Sequence, residues 1–66
     1  MITLEKETIY ITEYDSLKKV SDNNILIYQQ DSYISITGDN LRIGLLSRDE
    51  ISIIGTIEQI QFQYDK

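Results

Sequence analysis

Apolar and polar residues alternate along most of this chain with a period of two. Thr8 to Glu13 sets Ile9 and Ile11 against Thr8, Tyr10 and Thr12, and Ile25 to Gln30 sets Ile25 and Ile27 against Leu26 and Tyr28. Tyr33 to Thr37 places Ile34 and Ile36 on one face, and Leu41 to Leu46 does the same with Leu41, Ile43 and Leu45. Glu50 to Ile54 and Ile60 to Tyr64 complete the set, the last with Ile60, Phe62 and Tyr64 separated by Gln61 and Gln63. A twofold period puts successive side chains on opposite faces of a strand, and β-branched residues suit a pleated surface better than a helix. The pattern predicts about six short strands, with Ile2 to Leu4 as a candidate seventh.

Between these runs lie Asp31-Ser32, Gly38-Asp39-Asn40 and Ser47-Arg48-Asp49. Such residues favour turns through positive φ or local side-chain hydrogen bonds, so consecutive antiparallel hairpins are the simplest connection. Ser16 to Val20 is ambiguous: Leu17 and Val20 sit three apart, as in a helical turn, yet the segment equally reads as a strand ending at Ser21-Asp22-Asn23-Asn24. Ile57 and Ile60 break the alternation and predict a bend or bulge after Gly55.

One pattern recurs. Ile34-Ser35-Ile36-Thr37-Gly38 returns as Ile51-Ser52-Ile53-Ile54-Gly55. The copies are either equivalent strands of a curved sheet or rungs of a short β-solenoid. The reading adopted is a single all-β domain over residues 1–66, a small antiparallel meander or sandwich, with the solenoid as the alternative. Gly38 and Gly55 are expected as structural turn or bulge positions with positive φ, and Gly44 as a strand glycine that admits a bend or a close backbone.

Composition narrows the chemistry. The 66 residues include no His, Cys, Trp or Pro, so Ser-His and Cys-His nucleophiles and His or Cys metal sites are excluded by inventory. The serines read as turn or outward strand positions, and no enzyme activity or cofactor is expected. Gly38, Gly44 and Gly55 belong to no glycine-rich fingerprint leading into a helix, which removes a phosphate cradle. Six Lys and Arg against eleven Asp and Glu give a net charge of −5. The basic residues Lys6, Lys18, Lys19, Arg42, Arg48 and Lys66 are scattered, so no stripe exists to neutralise a phosphate backbone and nucleic acid is not expected. Met1 to Glu7 has neither a basic n-region nor an apolar h-region, so no signal peptide or membrane insertion is expected. Lack of cysteine fits a reducing compartment.

A chain this short is near the size at which one core barely offsets the entropy of ordering it. Without disulfides or a metal, the remaining remedy is a partner, either a second copy or another protein. Candidate interaction residues lie on the outward face: Tyr10, Tyr28, Tyr33, Ile54 and Gln61, with Leu46 as a further apolar position out of phase with the core. Tyrosine contributes contact area at little ordering entropy. The competing reading of these positions is ordinary solvated strand surface.

Ile9-Tyr10-Ile11, Tyr33-Ile34-Ser35-Ile36-Thr37-Gly38, Leu41-Arg42-Ile43, Asp49-Glu50 and Ile51-Ser52-Ile53-Ile54-Gly55-Thr56-Ile57-Glu58-Gln59-Ile60 together resemble the YabP/YqfC family of sporulation proteins. The resemblance covers residues 8 to 66 and is closer to the YqfC branch; Gly55-Thr56-Ile57-Glu58-Gln59-Ile60 is its most specific part. It implies a role in spore formation in the mother-cell cytoplasm, alongside a membrane-protein partner, and carries over no catalytic residue. Two other readings stay open. One is a small-ligand or divalent-metal module using Asp39, Asp49 and Glu50, and the other is a phage-encoded, antitoxin-like accessory protein.

Overall fold

The computed structural model describes residues 2–5 and 7–64; Met1, Lys6, Asp65 and Lys66 lie outside the described residues. Six strands follow in chain order: β1 (Ile2–Glu5), β2 (Thr8–Thr12), β3 (Ser16–Val20), β4 (Asn24–Gln29), β5 (Ser32–Leu46) and β6 (Glu50–Tyr64). All pairings are antiparallel, in one open sheet of order β1-β2-β6-β5-β4-β3. No helix occurs among the described residues. The all-β antiparallel reading therefore holds, with β2 beside β6 and not β3, and the solenoid does not, because solenoid rungs stack in parallel whereas every neighbour here is antiparallel.

The strand boundaries differ from the sequence expectation in an informative way. Tyr33 to Thr37 and Leu41 to Leu46 are one strand, β5, and Glu50 to Ile54 and Ile60 to Tyr64 are one strand, β6. Gly38-Asp39-Asn40 is not a connection between strands. It is bulged: β5 carries an extra residue between Asp39 and Arg42, and just before it, between Thr37 and Gly38, the extra residue is Glu58 of β6, after Gly55 as the broken alternation predicts. Asn40 takes φ 57° there, a left-handed conformation that Asn tolerates. Gly38 and Gly55, expected at turns, lie within β5 and β6, and of the two Gly55 has positive φ, at 143°. Ser16 to Val20 resolves as strand β3, bulged between Leu17 and Lys19, and Ile2 to Glu5 as strand β1. A turn and a bulge recruit the same residue types, so sequence alone reads one as the other.

Bending divides the sheet into two halves that share the long strands. In one half, β3, β4 and the first part of β5 pair in order, and the last part of β6 completes them (Ser32 opposite Tyr64, Thr37 opposite Gln59). In the other, β1, β2 and the first part of β6 pair in order, with the last part of β5 beside them (Ile43 opposite Ile53, Leu46 opposite Ile51). The two halves have the same plan.

The core repeats that plan. Ile25 faces Ile36 and Ile27 faces Ile34 in one half; Ile9 faces Ile53 and Ile11 faces Ile51 in the other. These eight isoleucines are the fully buried large side chains among the described residues, and Leu41 at the bend joins their cluster. Directly opposed β-branched pairs are the natural unit of sheet packing. Each copy of the Ile-Ser-Ile echo thus contributes one side of a square of four isoleucines.

The bends are pinned from outside. Gly38 donates its N–H to Asn23 O at 3.1 Å and Leu41 to Asp22 O at 2.8 Å, so the β3–β4 turn docks on the β5 bulge. Gly55 donates to Glu7 O at 3.0 Å, docking the β1–β2 connection on β6 in the same manner. The β4–β5 connection is a two-residue turn, with Gln30 at φ 47° and Asp31 at φ 63°, the positive-φ pair that matches the strand twist in hairpins.

Candidate functional site

The structure divides the sequence-predicted interaction residues between the two halves. Tyr28 of β4 and Tyr33 of β5 are opposite each other, with ring centroids 5.0 Å apart and planes tilted by 57°. Lys18 Nζ lies 5.6 Å from the Tyr28 ring centroid, and the Tyr28 hydroxyl donates to Asp31 Oδ1 at 3.2 Å. Gln61 stands on the same face, opposite Ser35, and Gln63 is opposite Tyr33. These side chains alternate with the buried isoleucines and so point away from the core. Together they make one amide- and tyrosine-bearing surface.

Tyr10 and Ile54 belong to the other half. Tyr10 is opposite Thr3 on one side and Ser52 on the other, and Ile54 is opposite Thr8 and Arg42. Ile54 also fills the space above Gly44, where an added Cβ would collide with its Cδ1. Its apolar surface is partly spent on closing that gap. Ser52 beneath Tyr10 is 5% exposed.

The β5 bulge between Ile43 and Leu45 changes a further assignment. Simple alternation puts Leu45 on the core face and Leu46 outside. With Gly44 inserted, Leu45 is opposite Ser52 on the outer face, while Leu46 is opposite the buried Ile51. Leu46 nevertheless remains exposed because, among the described residues, no strand pairs with the far edge of β5 there.

Sequence reasoning missed the most exposed apolar positions of the core face. Phe62 is opposite buried Ile34, yet 58% exposed, and Tyr64 beyond it is 84% exposed. Strand β2 covers β6 over Glu50–Ile54 and no further. Past Gly55, β6 has a neighbour on the β5 side alone, and its other edge is open among the described residues. Periodicity identifies the face of a residue but not whether another strand lies beside it. The available signal was the length of the last apolar run relative to the hairpins that could cover it.

Among the described residues no pocket opens on the surface, and no three acidic side chains converge as metal ligands. Asp39 sits in the β5 bulge, while Asp49 and Glu50 sit at the β5–β6 connection, where Glu50 N–H donates to Ser47 Oγ at 3.2 Å. No helix among the described residues is long and apolar enough to cross a membrane.

An exposed strand edge beside an aromatic and amide-rich face describes a surface, not a lineage. The sequence matches the YabP family over residues 1–66, without separating its branches. The chain belongs to the YabP family. No curated protein and no solved structure matches it. YabP family membership suggests a sporulation-related role. In YabP family terms, the segment of the sequence resemblance from Ile51 to Ile60 spans the bend in β6 and leads into its open edge.

Proposed function

We propose that this YabP family protein is a non-enzymatic sporulation protein of the mother-cell cytoplasm that acts by protein association, with a membrane protein among its partners. The observation that carries the reading is the open edge of β6 from Gln59 to Tyr64. These residues keep unbroken register with β5 on one side and, among the described residues, have no strand on the other. The stretch carries no charged residue and no proline, the usual devices that keep strand edges apart. Added strands gain affinity from main-chain hydrogen bonds and specificity from alternate side chains. Here those side chains are Ile60, Phe62 and Tyr64 on one face and Gln59, Gln61 and Gln63 on the other.

Photo-crosslinking in sporulating cells tests this reading. A photoreactive residue at Gln59 or Gln63 is expected to yield protein adducts, and the Gln59→Lys and Gln63→Lys variants to lower spore yield. Absence of adducts together with normal sporulation in both variants would overturn it.

A further inference from the structure

We infer that the open edge of β6 pairs with the same edge of a second copy, antiparallel, about a twofold axis passing through Gln61. The inference rests on the association reading above and names the partner.

Comparison of the available edges singles out β6. Strand β3 presents Lys18 and Lys19 and is bulged between Leu17 and Lys19, two features that blunt an edge. Strand β1 is four residues long and ends in Glu5. The late part of β5 is interrupted at Asp39/Arg42 and again at Ile43/Leu45, and a bulged strand presents its ladder groups out of step. Among the described residues, β6 past its bulge at Glu58 offers the longest regular run of these edges, six residues from Gln59 to Tyr64 in continuous register with Thr37 to Ser32.

The side-chain pattern of that run is self-complementary. With the axis at Gln61, Ile60 of one copy lies opposite Phe62 of the second and Phe62 opposite Ile60, on the core face. Gln59 lies opposite Gln63 and Gln61 opposite itself, on the outer face. Glu58, the one charged residue between Ile57 and Tyr64, is the extra residue of a bulge in β6 just before the regular run, so no like charges meet within the seam. Moving the axis to Ile60 carries the Glu58 bulge into the pairing, and moving it to Phe62 sets two phenyl rings on the axis in place of the mixed Ile60–Phe62 pairs.

The same arrangement continues the core. Within one copy, Ile27, Ile34 and Phe62 form one row across the strands, and Ile25, Ile36 and Ile60 form the next. Across the axis each row runs on into the other: Ile27-Ile34-Phe62 meets Ile60-Ile36-Ile25 of the second copy. Phe62 and Ile60 thereby gain on their open side the kind of neighbour that they already have on the β5 side. The net charge of −5 opposes association, but charges distant from the seam are screened beyond about 8 Å at physiological salt.

Sedimentation equilibrium on the full chain reads the dimer directly. Gln61→Lys puts two ammonium groups face to face at the axis on an exposed position, and is expected to weaken association at least about tenfold while leaving the circular dichroism spectrum unchanged. Because the chain has no cysteine, single thiols report register. Gln61→Cys is expected to crosslink to itself with a short bifunctional reagent. Gln59→Cys is expected to crosslink with Gln63→Cys but not with itself, and Lys18→Cys not to self-crosslink. A monomer at roughly 1 mM, an unchanged dimer in Gln61→Lys, or crosslinking at Lys18→Cys in preference to Gln61→Cys would overturn the inference. A monomeric chain that still forms adducts with another protein in cells would overturn the dimer alone; a monomer without adducts, with normal sporulation in both the Gln59→Lys and Gln63→Lys variants, would remove both readings.

Discussion

Gly55 donates its backbone N–H to the carbonyl of Glu7 at 3.0 Å, tying the middle of the last strand to the tip of the first hairpin. Gly38 does the same toward Asn23 at 3.1 Å for the second hairpin. Glycine stands at both positions because each long strand bends there against another backbone. A Cβ at Gly55 would lie 2.7 Å from Asn40 O, and one at Gly38 would collide with the Thr56 carbonyl oxygen.

Gly55→Ala and Gly38→Ala are each expected to destabilise by about 2–4 kcal/mol, since neither backbone obstacle can rotate away and Gly55 adds positive-φ strain. Gly44→Ala meets the Ile54 and Ser52 side chains instead, which can move, so a loss nearer ~1 kcal/mol is expected. Urea unfolding of the three variants checks the order. Gly44→Ala as the most damaging would contradict this account of the bends.

The isoleucine squares predict a steep contrast between core and edge. Ile53→Ala should cost about 2–5 kcal/mol through cavity formation, a large share of the ~3–10 kcal/mol available to a chain of this length. Phe62→Ala, although larger in volume removed, should cost under about 1 kcal/mol in the monomer because its side chain is mostly in water. Thermal denaturation under monomeric conditions distinguishes them.

At the β4–β5 turn, Gln30 holds positive φ against its preference, and Asp31 tolerates it at more cost than glycine would. Replacing them by Asn-Gly, the pair that adopts this turn most readily, is expected to stabilise by about 1 kcal/mol. The gain is reduced by loss of the Tyr28 hydroxyl to Asp31 hydrogen bond. A fall in denaturation midpoint would show that this bond outweighs the backbone strain.

Asn24 links three positions of β5. Its Nδ2 donates toward Ser35 Oγ at 3.1 Å, Ile36 O at 3.4 Å and Thr37 Oγ1 at 3.4 Å, just ahead of the β5 bulge. Asn24→Ala is expected to cost about 1–2 kcal/mol, the usual range for partly buried acceptors that lose a donor. Hydrogen exchange at Gly38 and Leu41, whose amides bond the same turn, should accelerate in the variant.

The alternation of Ile with polar residues located all eight fully buried isoleucines, because burial of one sheet face forces that period. It did not show that Gly38-Asp39-Asn40 bends a strand instead of ending it, since a hydrogen-bonded bulge and a turn demand the same backbone freedom. It misplaced Leu45 and Leu46 because the extra residue at Gly44 reverses the parity of everything after it. For the interaction surface, the Tyr28–Tyr33 pair follows from facing positions in a hairpin, whereas the exposure of Phe62 depends on β2 ending beside Ile54. That is a long-range fact with no local signature.

The shared strands also dictate an order of assembly. Ile25, Ile27, Ile34 and Ile36 lie on one local hairpin and can meet as soon as that stretch of chain exists. Ile9 and Ile11, made earlier, must wait for Ile51 and Ile53. The first hairpin is therefore synthesised first and sheltered last, and its bare isoleucines are the interval during which this chain is most open to aggregation.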